Sequence, residues 1–440
     1  MVAPPLEIER TLTAAVARRS AAVAAALDDE RVLHRARAWA ARAVPDAAVE
    51  GVRVRSVLYR PDGSCTMRYL VRLAPSGEER ILLVEVPSSG TCVRVRPFPA
   101  DPGLPTLAHA LDPGLMRTVL GRVVPGTGGE RAVGRCAVDV VRYPREGRCV
   151  LRYRFSPGAG GAGELRHPVV FGKVYGSHDP RAAAAGSRLL RRGLARASGP
   201  VRVTVPRPLG VVAPLRLGLA EAVPGRALLP DLVRAGDPGP LSAALTTAAG
   251  AAAAVHACST DGAALPVRCL AGELASADRE VTLLEPVWPE AAASLRRGLA
   301  PAEAFGSAEP LAPAVAHGDF TPGQVLLDGD GTAAIVDVDT LCLAEPALDL
   351  GRFLAYLQVA AVRRASRPLP AEVTGRFADA YLDATASRDG RRLLLDRTAA
   401  YAGLSLARMG VSACRQLKDD RLAAVRTVLD SGDDWRRNAG

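Results

Sequence analysis

The stretch His317-Gly-Asp-Phe-Thr-Pro-Gly-Gln324, followed by the apolar run Ala333-Ala-Ile-Val-Asp-Val-Asp339, constrains this chain more than any other. From Pro240 onward the text is otherwise helical, with patterns at 240–258, 287–299, 345–365, 370–386 and 388–430. The block therefore reads as loop, strand, turn (Asp328-Gly-Asp-Gly331) and strand set into a helical body. A carboxylate after a tight His-Gly turn, an amide five residues on, and a second carboxylate closing a short strand supply half of a phosphoryl-transfer site. The other half is a cation for the phosphates.

Composition makes that cation conspicuous. Of 56 basic residues only Lys173 and Lys418 are lysine. A compact ammonium reaches phosphate as a point charge, which the planar guanidinium does not duplicate. Lys173 lies in Pro168-Val-Val-Phe-Gly-Lys-Val-Tyr175, a β-branched run that reads as a strand.

The length of 440 residues predicts two or three domains. Residues 6–43 carry two helical patterns split near Asp28. An antiparallel meander follows over 52–96, then a Pro-rich loop, a helix through Leu120 and a linker at Gly126-Thr-Gly-Gly129. The text then repeats itself. Tyr59-Arg-Pro-Asp-Gly-Ser-Cys-Thr-Met-Arg-Tyr69 and Tyr143-Pro-Arg-Glu-Gly-Arg-Cys-Val-Leu-Arg-Tyr153 align without a gap, with Tyr, Gly, Cys, Arg and Tyr identical. We read a duplicated strand-turn-strand unit. Only the second copy carries the lysine; its counterpart in the first falls around Glu85, which makes the first copy a structural cap. The second copy continues through a helix at 180–197 and strands at 201–205, 209–212 and 215–223.

Eight cysteines without a C-x-x-C pair argue against a zinc site or a disulfide framework and fit a cytoplasmic protein. The N-terminus lacks a secretory pattern, and no segment is long and apolar enough to predict a membrane span. A net charge of +10 favours anionic ligands. The arginines are dispersed and aromatic residues scarce, so no nucleic-acid partner is expected. Gly158-Ala-Gly-Gly-Ala-Gly163 satisfies loose phosphate-loop patterns but sits between strands, and reads as a hairpin loop. Asp337-Val-Asp339 alone would also suit the metal motif of a nucleotide-sugar glycosyltransferase; the His317 block outweighs that reading. His256 reads as a packed or capping histidine.

The spacing His-Gly-Asp-x-x-x-x-Gln matches the kinase catalytic-loop pattern H-R-D-x-x-x-x-N. With Ile335-Val-Asp-Val-Asp339 and Pro346-Ala-Leu-Asp-Leu350, it resembles the aminoglycoside phosphotransferase and choline kinase-like family of the protein-kinase-like fold. The Gly323-Gln-Val325 ending and the N-terminal cap are similar to maltokinases. The resemblance spans about 132–430. It implies an α+β, two-lobed fold: an N-terminal α/β cap at 1–126, an antiparallel β-rich lobe at 132–223, and a helical lobe at 224–440.

Carried over position by position, the resemblance makes Asp319 the catalytic base and Lys173 the holder of the α- and β-phosphates. Asp337 becomes the main Mg²⁺ ligand, with Gln324 in the place of a metal-binding Asn and Asp339 on the metal side. Ala220, Glu221, Ala222 and Val223 become the hinge that receives adenine. His317 and Asp349 are assigned to holding the loop and the following helix. The family's helix glutamate, partner of the lysine, is missing after Lys173, so another carboxylate must position Lys173 or the phosphate grip is loose. The implied function is transfer of a γ-phosphoryl group, from ATP or GTP with Mg²⁺, to a hydroxyl of a sugar, aminoglycoside or amino alcohol. The alternatives are a nucleotide-binding scaffold without turnover and a kinase for peptide Ser or Thr.

Overall fold

The computed structural model describes residues 10–431 apart from 21–22, 25–26, 90–92, 126–132, 144–146, 158–166, 198, 228, 236, 306–309, 329–330 and 386–389. The linker at 126–129 and the Gly-rich loop at 158–163 thus lie outside the described residues, as do turn positions 144–146 and 329–330. The fold is α+β, built from antiparallel sheets and helices. It forms two compact units, each drawn from several segments: Met1–Asp101, Ser276–Arg297 and Leu406–Arg426 in the first, Pro102–Ala275, Gly298–Ser405 and Thr427–Gly440 in the second.

In the first unit, helices Arg10–Arg19 and Asp29–Ala43 precede four strands, β1 (Ala48–Tyr59), β2 (Cys65–Ala74), β3 (Glu78–Val86) and β4 (Arg94–Pro97). They pair antiparallel in chain order. The alternation of β2 decides its inward face, where Cys65, Met67, Tyr69, Val71 and Leu73 are all buried.

The second unit opens with helix Pro113–Val123 and then β5 (Val133–Arg142), β6 (Arg148–Pro157) and β7 (Val169–Tyr175). Helix Pro180–Arg196, β8 (Val203–Thr204), β9 (Pro208–Val212) and β10 (Leu217–Glu221) follow. The main sheet runs β5-β6-β7-β10-β9. The helical part contains Pro238–His256, Ala347–Ala365 and Ala371–Thr385. Set within it are two short ladders: β11 (Ala314–Ala316) with β14 (Cys342–Ala344), and β12 (Val325–Leu327) with β13 (Ala333–Ile335), the latter joined in parallel by β8.

The two hairpins of the duplicated text share their register. Thr66, after Cys65, pairs with Glu85, and Val150, after Cys149, pairs with Lys173. Tyr69 and Tyr153, like Cys65 and Cys149, are buried, and Gly63 and Gly147 both take positive φ in the turns. The lysine and Glu85 thus hold equivalent places in their sheets.

Helix Leu229–Ala235 and strands β11 and β14 lie where the sequence patterns predict no element, and three further departures have a local physical reason. The strand expected from Leu215 starts only at Leu217, because Ala213–Leu215 forms a 3-10 turn closed by Arg216 in the left-handed region. The helix expected over 388–430 breaks into Arg391–Arg415 and Asp419–Asp430 around Leu417 at φ 52°. Helix Leu270–Thr282 went unread because its buried face carries Glu273 and Ala277 between Leu270 and Val281, a weak apolar signal.

The Tyr153 hydroxyl donates to the Ala110 carbonyl at 2.9 Å within the core, tying β6 to the segment before helix Pro113–Val123. Tyr153→Phe leaves that carbonyl unpaired and is expected to cost about 1–2 kcal/mol of stability, measured by denaturant titration.

Candidate active site

The His317 loop is fixed by polar groups that leave almost nothing unsatisfied. Asp349, buried at the start of helix Ala347–Ala365, accepts the backbone N–H of His317 at 2.7 Å and of Gly318 at 2.9 Å. His256 Nε2 lies 3.2 Å from the same carboxylate, and its Nδ1 lies 2.9 Å from the Tyr381 hydroxyl. Burial would raise the Asp349 carboxyl, but the His256 and His317 contacts hold it below the usual carboxylate range. On the other side Arg268 donates to the Gly318 carbonyl while its fork clamps Glu273, and the Thr340 hydroxyl donates to the His317 carbonyl. The His317 ring accepts from the Asp319 N–H through Nδ1 and donates from Nε2 to the Val336 carbonyl. At Gly318, φ is +76° and an added Cβ would fall 2.3 Å from the Thr340 carbonyl oxygen, so no other residue fits the turn.

This frame presents Asp319. Its Oδ2 accepts from Gln324 Nε2 at 2.9 Å, and its Oδ1 lies 2.6 Å from Arg352 Nη2 on helix Ala347–Ala365. Because the Gln324 amide nitrogen faces a carboxylate, its Oε1 points away, buried and without a hydrogen-bond partner. Gln324 also lines a pocket of ≈ 420 Å³, in the size range of small-ligand sites.

Asp337 and Asp339 enter the same pocket from the turn after β13. Asp337 takes φ 66°, a left-handed conformation that Asp tolerates better than most side chains, at a cost of about 1–2 kcal/mol. Lys173 Nζ donates to Asp337 Oδ1 at 2.5 Å and to Asp339 Oδ2, and Arg148 stands 3.8 Å from Asp337 Oδ1. Burial would push the Asp337 carboxyl up; Lys173, then Arg148 and His317, outweigh it and hold the carboxyl below the ordinary range. The Tyr175 hydroxyl donates to Asp339 Oδ1 at 3.1 Å.

The predicted residues therefore fall into three groups. Lys173, Gln324, Asp337 and Asp339 line one pocket together with Ala220, Glu221 and Val223. Ala222 is not in that lining, and the Glu221 carboxylate is engaged by Arg191 at 3.2 Å and by the Arg207 N–H at 2.9 Å. Asp319 sits outside the lining, joined to it through Gln324. Sequence reading missed Arg148, Tyr175 and Arg352. Tyr175 was accessible in principle, two residues after Lys173 and so on the same strand face. Arg352, three residues after Asp349 on a helix, shares its face in the same way.

Asp337 and the orphaned Gln324 oxygen fit a Mg²⁺ ion, which binds through one or two protein oxygens completed by phosphates and water. Among the described residues no group of three or more His, Cys, Asp or Glu is arranged to hold a metal alone.

The phosphotransferase enzyme family model, APH, matches residues 177–394. A choline kinase from Cryptosporidium parvum Iowa II is 13% identical over 72% of this chain and 93% of its own, with a TM-score of 0.48. An aminoglycoside phosphotransferase, APH(2")-IIia, solved with GDP and kanamycin is 15% identical over 69% of this chain and 94% of its own, TM-score 0.47. A choline/ethanolamine kinase family protein from Mesorhizobium loti is 19% identical over 76% and 97%, TM-score 0.44. No curated protein matches the chain by sequence.

Removing the Asp349 carboxylate strands two backbone donors inside the fold, and Asp349→Ala is expected to lose about 3–5 kcal/mol in a denaturant titration. Because the folded carboxyl titrates below the unfolded value of about 3.9, its stabilisation is present above about pH 4 and disappears as pH falls through the folded value. The stability gap between wild type and Asp349→Asn should accordingly narrow below about pH 4.

Proposed function

We propose that this chain, whose residues 177–394 carry the phosphotransferase enzyme family match, transfers the γ-phosphoryl group of ATP to a hydroxyl of a small molecule. The observation that carries the proposal is that Lys173, Asp337 and Gln324, whose buried amide oxygen has no partner, line one pocket, with Asp319 tied to that pocket by the nitrogen of the same amide.

In this reading Lys173 and Arg148, on adjacent strands, grip the phosphates, and residues 220–223 receive the base. Asp337 and Gln324 would hold Mg²⁺, whose charge would offset the negative charge of the phosphates. Asp319 accepts the hydrogen bond of the attacking hydroxyl and, as transfer proceeds, its proton. Arg352 and the Gln324 amide hold the Asp319 carboxylate so that one oxygen geometry is presented to the acceptor. The rate gain comes from positioning and fixed charge, since phosphoryl transfer asks for little covalent help. Acceptors of the sugar, aminoglycoside and amino alcohol classes all suit this chemistry.

Incubating the protein with ATP, Mg²⁺ and a panel of those hydroxyl compounds should yield a phosphorylated product, detected by mass spectrometry. Asp319→Ala is expected to slow transfer by about 10²- to 10⁴-fold with little change in ATP binding. Nucleotide-dependent thermal stabilisation with no transfer to any acceptor would make the protein a nucleotide-binding scaffold instead.

Gln324→Leu keeps the volume but deletes both the amide donor and the free oxygen. It should raise the Mg²⁺ concentration for half-maximal rate by about 10-fold, measured by metal titration.

A further inference from the structure

A lysine that grips phosphate works only if its ammonium is held in position, and in kinases a carboxylate on the helix after the lysine strand does this. Here helix Pro180–Arg196 contains no acidic residue, and it turns Ala183, Ala184 and Ser187 toward the pocket. Those small side chains admit the turn after β13 instead. At Gly186 an added Cβ would lie 3.6 Å from the Val338 carbonyl oxygen and 3.5 Å from the Leu341 side chain. The turn, one 3-10 coil at Val338–Thr340 entered through left-handed Asp337, delivers two carboxylates to Lys173.

The two carboxylates are not equivalent. Lys173 and Arg148 both approach Oδ1 of Asp337, and no cation is paired with its Oδ2 in these contacts. Asp339 is committed on both oxygens, Oδ2 to Lys173 and Oδ1 to the Tyr175 hydroxyl. Tyr175 is two residues beyond Lys173 on β7, so one strand face carries the lysine and the hydroxyl that aims its acid. The ammonium also lies 5.5 Å over the Tyr175 ring. Burial, then the neighbouring Asp339, pushes the Tyr175 hydroxyl up and keeps it a donor.

We infer that Asp339, oriented by Tyr175, is the positioning residue for Lys173, while Asp337 alone of the two serves the metal; this rests on the phosphotransferase reading above. The lysine clamp then belongs to the same turn as the metal acid rather than to helix Pro180–Arg196.

The test is ADP affinity, measured calorimetrically in EDTA and again in Mg²⁺, for wild type, Asp339→Asn, Lys173→Ala and the double variant. A positioning role predicts that Asp339→Asn weakens ADP binding in EDTA by about 5- to 20-fold, and by less than about 2-fold once Lys173 is alanine. Tyr175→Phe, which keeps the ring, should weaken it in the same direction by about 2- to 5-fold, and carries the test if Asp339→Asn fails to fold. Unchanged affinity in EDTA with loss of the Mg²⁺ enhancement would make Asp339 a metal ligand and overturn the inference. So would an equal loss in both lysine backgrounds. Wild-type protein that binds no ADP removes the phosphotransferase reading itself, whereas normal ADP binding without coupling removes only the role of Asp339.

Discussion

A carboxylate taken fully out of water is expensive, by several kcal/mol even after relaxation, and it persists only where its lone pairs are answered. Asp349 is such a group, and His317 N–H, Gly318 N–H and His256 answer it. Everything at the site hangs from that exchange. The His317 ring, fixed at its backbone by Asp349, carries the constraint to the Val336 carbonyl, and Thr340 returns it to the His317 carbonyl. The turn bearing Asp337 and Asp339 is thereby tied to the loop bearing Asp319. One buried charge sets the spacing between the acid that would take a proton and the acids that face Lys173.

The electrostatics of the pocket explain why a lysine stands at position 173 in a chain whose basic residues, Lys418 apart, are otherwise arginine. Two carboxylates converge within hydrogen-bond reach of one Nζ, and phosphate would approach the same atom. An ammonium offers three donors in rotatable directions from a small sphere, whereas a guanidinium is planar and fixes its donors in a fork. Where a fork suits, the chain uses one: Arg268 on Glu273 and Arg397 on Glu345. The division follows geometry rather than charge.

Most of the site block was legible because its geometry is local. His317 to Gln324 is a single loop, and Asp337 follows a short strand, so residue type and spacing carry the information. Lys173 was legible for a compositional reason. Arg148, Arg352 and Tyr175 were not, because each acquires meaning only from a partner far along the chain: Asp337, Asp319 and Asp339. The same limit applies to the first unit, whose segments Ser276–Arg297 and Leu406–Arg426 carry nothing in their text that assigns them to the company of residues 1–101. Helix Leu270–Thr282 failed for a different reason, a buried glutamate that a hydrophobic pattern scores as exposed; Arg268 is what neutralises it.

The two hairpins separate what folds a β-sheet from what gives it chemistry. In both, the buried cysteine and tyrosine and the positive-φ glycine occupy matching places, and they determine turn, register and inward face. The residue paired with the position after the cysteine points to the opposite face and is free of those demands. There one copy carries Lys173 and the other Glu85, which lies 3.6 Å from Arg96 of the adjoining strand. A glutamate at that register repels phosphate as firmly as a lysine attracts it. Identical folding determinants therefore support opposite charge at the one position that phosphate chemistry would use.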